Sequence, residues 1–161
     1  MKDYEWRGPR GEFACQLGHF PLVFMRFSGT FDLDHLEQYN LWLAEHVDWL
    51  EREDLRAAWI GDVSRIELPS VEVRRALAER WRVNLERYRG RVLTEYIVVD
   101  NSLLRGMFTL LRLVNPRLHA ETFATFDAAQ RRARAVLIDA GVACPAPTRE
   151  QLEQLFSPKS L

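Results

Sequence analysis

Residues 57–63 read AAWIGDV, and residues 96–100 read YIVVD. Both runs are short and almost wholly apolar, and each is followed by a longer segment with helical periodicity. A strand is apolar along its whole length only where both faces of its sheet are covered. The alternation of such strands with helices therefore predicts an α/β domain whose sheet is mixed and mostly parallel.

The bulk composition indicates one folded domain with no marked charge. The chain has 161 residues, 47% hydrophobic and 28% charged, and a formal net charge of −1. This balance argues against a general affinity for nucleic acid or anionic membranes, and no apolar run approaches the ~18 residues of a membrane span. Residues 1–6, acidic and aromatic, are unlike a signal peptide. A disulfide between Cys15 and Cys144 is possible, but reduced thiols and a cytoplasmic location are expected.

The remaining pattern predicts a single domain over residues 12–141, with five strands and four main helices in the order β-β-α-β-α-β-α-β-α. Residues 1–11 are predicted to be an N-terminal extension, and residues 142–161 a proline-containing linker with a short helix. Helix boundaries have their usual signals, such as Asp32 or Asp34 before the first helix and Gly90 after the second. The predicted strands cover residues 12–17, 22–28, 55–63, 93–99 and 118–124, and the helices end near residues 52, 90, 114 and 140.

Four segments match a known family in order and apolar pattern. They are residues 22–29 (LVFMRFSG), 57–64 (AAWIGDVS), 96–100 (YIVVD) and 123–129 (FATFDAA). Together they resemble the SpoIIAA-like, STAS-type domain, the fold of anti-sigma factor antagonists, and especially its STAS/SEC14 branch. The resemblance covers about residues 12–140. It implies a regulatory module that binds a protein partner through its second helix and the preceding loop, and the branch label also implies an apolar ligand pocket.

The chain departs from that family at the regulatory serine. Phosphorylatable antagonists carry a serine in an Asp-Ser-Ser-Gly-like motif at the start of the second helix. Aligning residues 62–64 with the family's strand end places Leu68 and Pro69 at the serine pair and Ser70 at the glycine. The resemblance therefore does not carry the serine switch over to this chain.

Polar side chains follow the two central predicted strands at their carboxyl ends. Ligands of open α/β sheets bind at that edge, beside helix N-termini that attract anions. Phosphate on Ser70 would gain from the same helix dipole. The same residue types also cap helices and form turns, so capping and a partner- or ligand-binding surface remain alternatives. The candidate surface residues are Asp62, Ser64, Glu67, Ser70, Arg74, Asp100 and Asn101.

The helices offer more apolar surface than one sheet face can cover. The third predicted helix, residues 103–114, is apolar almost all round, and such a helix is either deeply buried or docked onto another molecule. Core packing is one interpretation. The alternatives are an interface with a protein partner or a second copy, or a pocket for an apolar ligand. The candidate residues are Trp42, Trp49, Trp59, Met107, Phe108 and Leu111.

The sequence has no pattern typical of catalysis or metal binding. It contains no Cys-x-x-Cys pair, no Gly-x-Ser-x-Gly elbow and no glycine-rich phosphate loop. We therefore expect no catalytic residue, no metal and no cofactor. Glu72, Glu79 and Glu86 can pair with the arginines of the second helix, which favours a solvated face over a nucleic-acid surface. The predicted function is a non-catalytic, cytoplasmic protein-interaction module; a carrier or sensor of a small apolar ligand, or an enzyme of unknown reaction, are the alternatives.

Overall fold

The computed structural model describes residues 1–114 and 121–144 of the chain. Within these ranges, six strands form one mixed sheet in the order β1-β2-β3-β4-β5-β6. Residues 148–156, predicted to form a terminal helix, and the start of the fifth predicted strand lie outside the described residues. The strands are β1 (Tyr4–Arg7), β2 (Gly11–Gln16), β3 (Leu22–Gly29), β4 (Ala57–Ile66), β5 (Val92–Val98) and β6 (Glu121–Phe123). The helices are α1 (Leu33–Arg52), α2 (Val71–Tyr88), α3 (Ser102–Val114) and α4 (Phe126–Asp139).

The strand β1 was missed by the sequence prediction, which gave five strands. It lies within the predicted N-terminal extension and pairs antiparallel with β2, with Tyr4 opposite Cys15. Its half-buried residues, Tyr4 and Trp6, alternate with exposed ones and pack against the core. That alternation is typical of an edge strand with one covered face. Because the strand has four residues, its period-2 signal is too short to stand out in the sequence.

The helices divide between the two faces of the sheet because of how they connect strands. The strands β3, β4, β5 and β6 are parallel to their neighbours, so α1, α2 and α3 are three successive crossovers in one direction. Crossovers of this kind are right-handed, which places all three helices on the same face. The helix α4 follows the last strand and covers the opposite face, where Ala129, Ala133 and Leu137 pack. The predicted α/β class, with a mixed and mostly parallel sheet, is confirmed.

The two faces have different cores. Beneath α1, α2 and α3 lies a large aromatic core that includes Trp42 and Trp59, both fully buried. The core under α4 is smaller and built mainly of aliphatic side chains. Cys15 belongs to the first core and Cys144 packs against the second. The two thiols are therefore separated by the sheet, and both are free.

The strand β4 is longer than predicted at its carboxyl end. The sequence prediction ended it at Val63, whereas the structure continues it to Ile66. The reason lies in the partner strand, because Ser28 and Gly29 of β3 pair with Arg65 and Ile66 after a shift in register. The connection between β4 and α2 is accordingly only the four residues 67–70.

Candidate functional site

An open groove of about 290 Å³ lies where β3 and β4 lead into α1 and α2. Because these strands are parallel, their carboxyl ends meet at one edge of the sheet, and both helices begin there. Asp32 caps α1 and accepts a hydrogen bond from the His35 amide over 3.1 Å. Ser70 caps α2, and its Oγ accepts from the Val73 amide over 3.2 Å. The groove is therefore lined by two adjacent helix N-termini.

A glycine at the end of β3 brings the β1–β2 connection into the groove. Gly29 has a backbone φ of +79°, and a Cβ here would collide with the carbonyl oxygen of Arg10. The amide of Thr30 donates to that same carbonyl oxygen over 3.0 Å. The guanidinium of Arg10 then reaches Asp32, with Nη2 donating to Oδ2 over 2.8 Å. With the connection that precedes α2, three segments distant in the sequence thus meet at one surface.

The charge of the groove is negative. The described residues that line it include three carboxylates, Asp32, Asp34 and Glu72, against one guanidinium, Arg10. Partial burial acts to raise the pKa of Asp32, but hydrogen bonds from His35 and Arg10 outweigh it and hold that pKa below its usual value. Asp32 therefore stays ionised. A partner that enters this groove meets fixed negative charge beside the positive ends of two helix dipoles.

The groove also exposes large apolar side chains. Leu33 and Leu68, which line it, are 44% and 50% exposed, and the neighbouring Val71 is 54% exposed. Single exposed apolar residues are ordinary on protein surfaces, but a group beside a concave surface is typical of an interaction site. Because Leu68 lies in the short connection before α2, it presents its apolar surface next to the cap of that helix.

The seven predicted surface residues separate into four places: the groove, β4, α2 and the turn before α3. Ser70 lines the groove, and Glu67 accepts a hydrogen bond from the Thr30 hydroxyl over 2.9 Å at its edge. Asp62 and Ser64, which were predicted to lie in a loop, are instead part of β4, where the Ser64 amide donates to Asp62 Oδ1 over 2.9 Å. The other three do not line the groove, since Arg74 lies one turn into α2, Asp100 follows β5, and Asn101 accepts from the Leu103 amide at the start of α3. Partner or ligand binding by these seven residues stays a prediction.

A second, smaller space lies inside the domain, between the sheet and the helices α1, α2 and α3. It has a volume of about 40 Å³ and almost wholly apolar walls, with Met25 and Gly61 on the sheet side. Of the six residues predicted to form an apolar pocket or interface, Met107 and Phe108 line this cavity. Of the other four, Trp42 and Trp59 belong to the aromatic core, and Trp49 and Leu111 are partly buried against it.

One carboxyl group lies in this apolar cavity, and the sequence prediction missed it. Glu95 stands on β5 opposite Trp59, is only 9% exposed and lines the cavity. Burial raises its pKa to about 7, although the hydroxyl of Tyr39 donates to its Oε1 over 3.4 Å. The local signal was an acid within an otherwise apolar strand, two residues before the buried Ile97.

The outer face of α3 is an exposed apolar stripe. Leu104, Met107 and Phe108 pack inward, so the prediction of core packing describes half of this helix. On the other side, Leu103, Leu110 and Leu113 are 69%, 62% and 71% exposed. The helix is therefore buried on one face and uncovered on the other.

The described residues contain no group of three or more His, Cys, Asp or Glu side chains that could hold a metal ion. None of the helices in the described ranges is both long and apolar enough to cross a membrane. His35 and His46 of α1 are buried, and burial lowers the pKa of His46 to about 4, so this imidazole is neutral at physiological pH.

Comparison with known proteins gives a likeness in structure. The fold matches that of an anti-sigma factor antagonist from Mycobacterium paratuberculosis, with a TM-score of 0.53 and 16% sequence identity. The match covers 80% of this chain and 99% of the other. No protein-family model and no curated protein sequence matches the chain. The chain therefore has the fold of an anti-sigma factor antagonist, as the order of its strands and helices implied.

Proposed function

We propose that this chain is a non-catalytic, cytoplasmic regulatory module that binds a protein partner at the groove between the N-termini of α1 and α2. The observation that carries the proposal is the groove itself, in which exposed Leu33 and Leu68 lie beside two capped helix starts. Its fold is that of a protein named for antagonising an anti-sigma factor. A protein partner is the kind of ligand that such a pairing of fold and surface supports.

The chemistry of the groove indicates what the partner presents. Two of its three carboxylates, Asp34 and Glu72, lie in the first turns of their helices, and the single guanidinium already pairs with the third. Opposite charges across an interface speed association and fix orientation. We infer that the partner inserts an apolar side chain beside Leu68 and flanks it with lysine or arginine.

A photo-crosslinking amino acid placed at Leu68 in the host cell tests this proposal. The matched control is the same amino acid at Ile138 on α4, which is 57% exposed against 50% for Leu68 and lies on the opposite face of the sheet. We expect a discrete protein adduct from position 68 and none from position 138. Equal adducts from both positions, or none from position 68, would contradict docking at the groove.

A charge reversal then tests the inferred chemistry of the partner. Asp34→Lys should reduce the yield of the adduct at position 68 by about tenfold, the effect of removing one good charge pair at an interface. Asp139→Lys makes the same change of charge on α4, at an exposed site, and should leave the yield unchanged. An adduct that Asp34→Lys strengthens would show an acidic partner instead. A second copy of the chain, the alternative partner, is tested by the same experiment, since an adduct of twice the chain mass identifies it.

A further inference from the structure

The cavity between the sheet and the helices combines apolar, aromatic walls with one buried carboxyl group. Its walls are apolar and aromatic, with Phe27, Phe108 and Trp81 among them. Glu95 is the one carboxyl among the described residues that line it, and no lysine, arginine or histidine is among those residues. The carboxyl is more than nine-tenths buried, and two phenols face it: the hydroxyl of Tyr39 donates over 3.4 Å, and that of Tyr88 is its second hydrogen-bond partner. Among the described lining residues no cation stabilises a carboxylate there.

We propose that this cavity binds the ammonium head of a small apolar amine, with Glu95 as its counter-ion and the aromatic walls around the cation. The aromatic face attracts a cation through its quadrupole, and an indole such as that of Trp81 does so best. A carboxylate or an ammonium that is buried alone loses its hydration without compensation. When the two are paired, their attraction offsets that loss. The proposal does not depend on the partner-binding groove.

Other ligand classes fit the cavity less well. An anion would meet the carboxylate of Glu95 with no cation in the described lining to offset it. A neutral apolar ligand would leave the carboxyl without a further hydrogen bond. Of these three classes, the amine fits both the apolar walls and the buried acid.

The size of the cavity limits the head group. A volume of about 40 Å³ accommodates a group of a few non-hydrogen atoms, such as a methylammonium head. The apolar stem of the ligand needs further room, which flexible Met25 and Met107 in the lining can yield by changing rotamer. Phe31 and Pro69 line both this cavity and the groove, so these two side chains form the wall between them, and we place the stem on that side of the cavity.

The three methionines of the chain make the test selective. Met25 and Met107 line the cavity, whereas Met1 lies at the N-terminus outside it. With methyl-labelled methionine, addition of n-butylammonium at pH 8 should shift the signals of Met25 and Met107 saturably and leave that of Met1 in place. The matched neutral compound, n-butanol, should bind at least about tenfold more weakly. This factor corresponds to the loss of one charged hydrogen bond.

Two variants assign the effect to the carboxyl. Glu95→Gln should lower the affinity for n-butylammonium to that for n-butanol. Glu121→Gln, at an exposed position of β6, makes the same change and should alter neither affinity. Equal affinities of amine and alcohol in the unmodified protein, or an amine affinity that Glu95→Gln leaves unchanged, would overturn the proposal. Unshifted Met25 and Met107 signals with both compounds would also overturn it.

A pH series on the unmodified protein keeps the test decisive if Glu95→Gln does not fold. The affinity for n-butylammonium should rise with pH through the titration of Glu95 and level off above it, whereas the affinity for n-butanol should not rise. The ionisable groups that face Glu95 are the phenols of Tyr39 on α1 and Tyr88 on α2, and burial raises the pKa of both. They stay neutral over this range, so an amine affinity that is flat with pH would contradict the role of Glu95.

Discussion

The groove and the cavity share two lining residues, Phe31 and Pro69. They nevertheless shift the pKa of a carboxyl group in opposite directions. In the groove, Asp32 accepts hydrogen bonds from a helix amide and a guanidinium, and its pKa is lowered. In the cavity, deeper burial raises the pKa of Glu95 even though two phenols, those of Tyr39 and Tyr88, donate to it. The balance between burial and the charged or amide donors that face a carboxyl thus decides whether it adds charge to a surface or is held near neutrality.

This contrast predicts different consequences for changes at the two places. A side chain in the cavity wall belongs to the core, so its loss acts first on the stability of the fold. A side chain at the groove is held by few neighbours, so its loss acts on what binds there. The two effects can be separated by measuring unfolding and partner capture on the same variants.

The largest expected effect is on the cavity wall. Phe108→Ala should lower the free energy of unfolding by about 3 kcal/mol or more, because it enlarges an existing cavity and removes an almost fully buried ring. Leu68→Ala, at a half-exposed position, should change it by less than about 0.5 kcal/mol. Urea denaturation measures the change in the free energy of unfolding for both variants. A loss of stability at Leu68 as large as that at Phe108 would show that the groove is part of the core.

The next largest effect is expected at Glu95, which makes the free energy of unfolding depend on pH. Its folded pKa of about 7 lies above the value of 4.5 for a free glutamate, so the folded state binds more protons than the unfolded state between these values. The contribution of this group to stability is therefore present below about pH 4.5 and is lost as the pH rises through about 7. Replacing the carboxyl by an amide removes that loss.

The measurement compares the unfolding of Glu95→Gln with that of the unmodified protein at pH 5 and pH 8. The variant should gain about 2–3 kcal/mol relative to the unmodified protein between these two values. Glu121→Gln is the control for a general change of charge and should show no such gain. A difference between Glu95→Gln and the unmodified protein that is the same at both pH values would mean that the carboxyl is not held near neutrality.

The fold was predictable from the sequence because its signal is local. The strands β4 and β5 are buried on both faces over residues 57–61 and 96–98, which are apolar throughout. Helices begin at side chains that can cap them, such as Asp32 and Ser70. The strand β1 was not predictable in the same way, since an edge strand of four residues carries little hydrophobic pattern. The extension of β4 to Ile66 depends on its pairing with β3, which no local signal records.

The candidate sites were predictable only in part, because tertiary contacts assemble them. Ser70 was identified because it starts a helix after a central strand. The pairing of Arg10 with Asp32 joins residues 22 positions apart and depends on the backbone at Gly29. Glu95 had a local signal, an acid in an apolar strand, but its meaning depends on Tyr39 and Trp81, which come from two different helices.

The smallest expected effect is at Ser70, the cap of α2. Two substitutions at this position distinguish the stability of the helix from the charge of the groove. Ser70→Ala should lower the free energy of unfolding by about 1 kcal/mol, because the Val73 amide loses its acceptor. Ser70→Asp should leave it within a few tenths of that of the unmodified protein, since aspartate caps equally well and its charge is favourable at a helix N-terminus. Urea denaturation of the two variants checks this order, and equal losses would show that the Ser70 hydroxyl does not cap the helix. Because Ser70→Asp keeps the fold, any change that it makes in capture at Leu68 reports the charge in the groove rather than unfolding of α2.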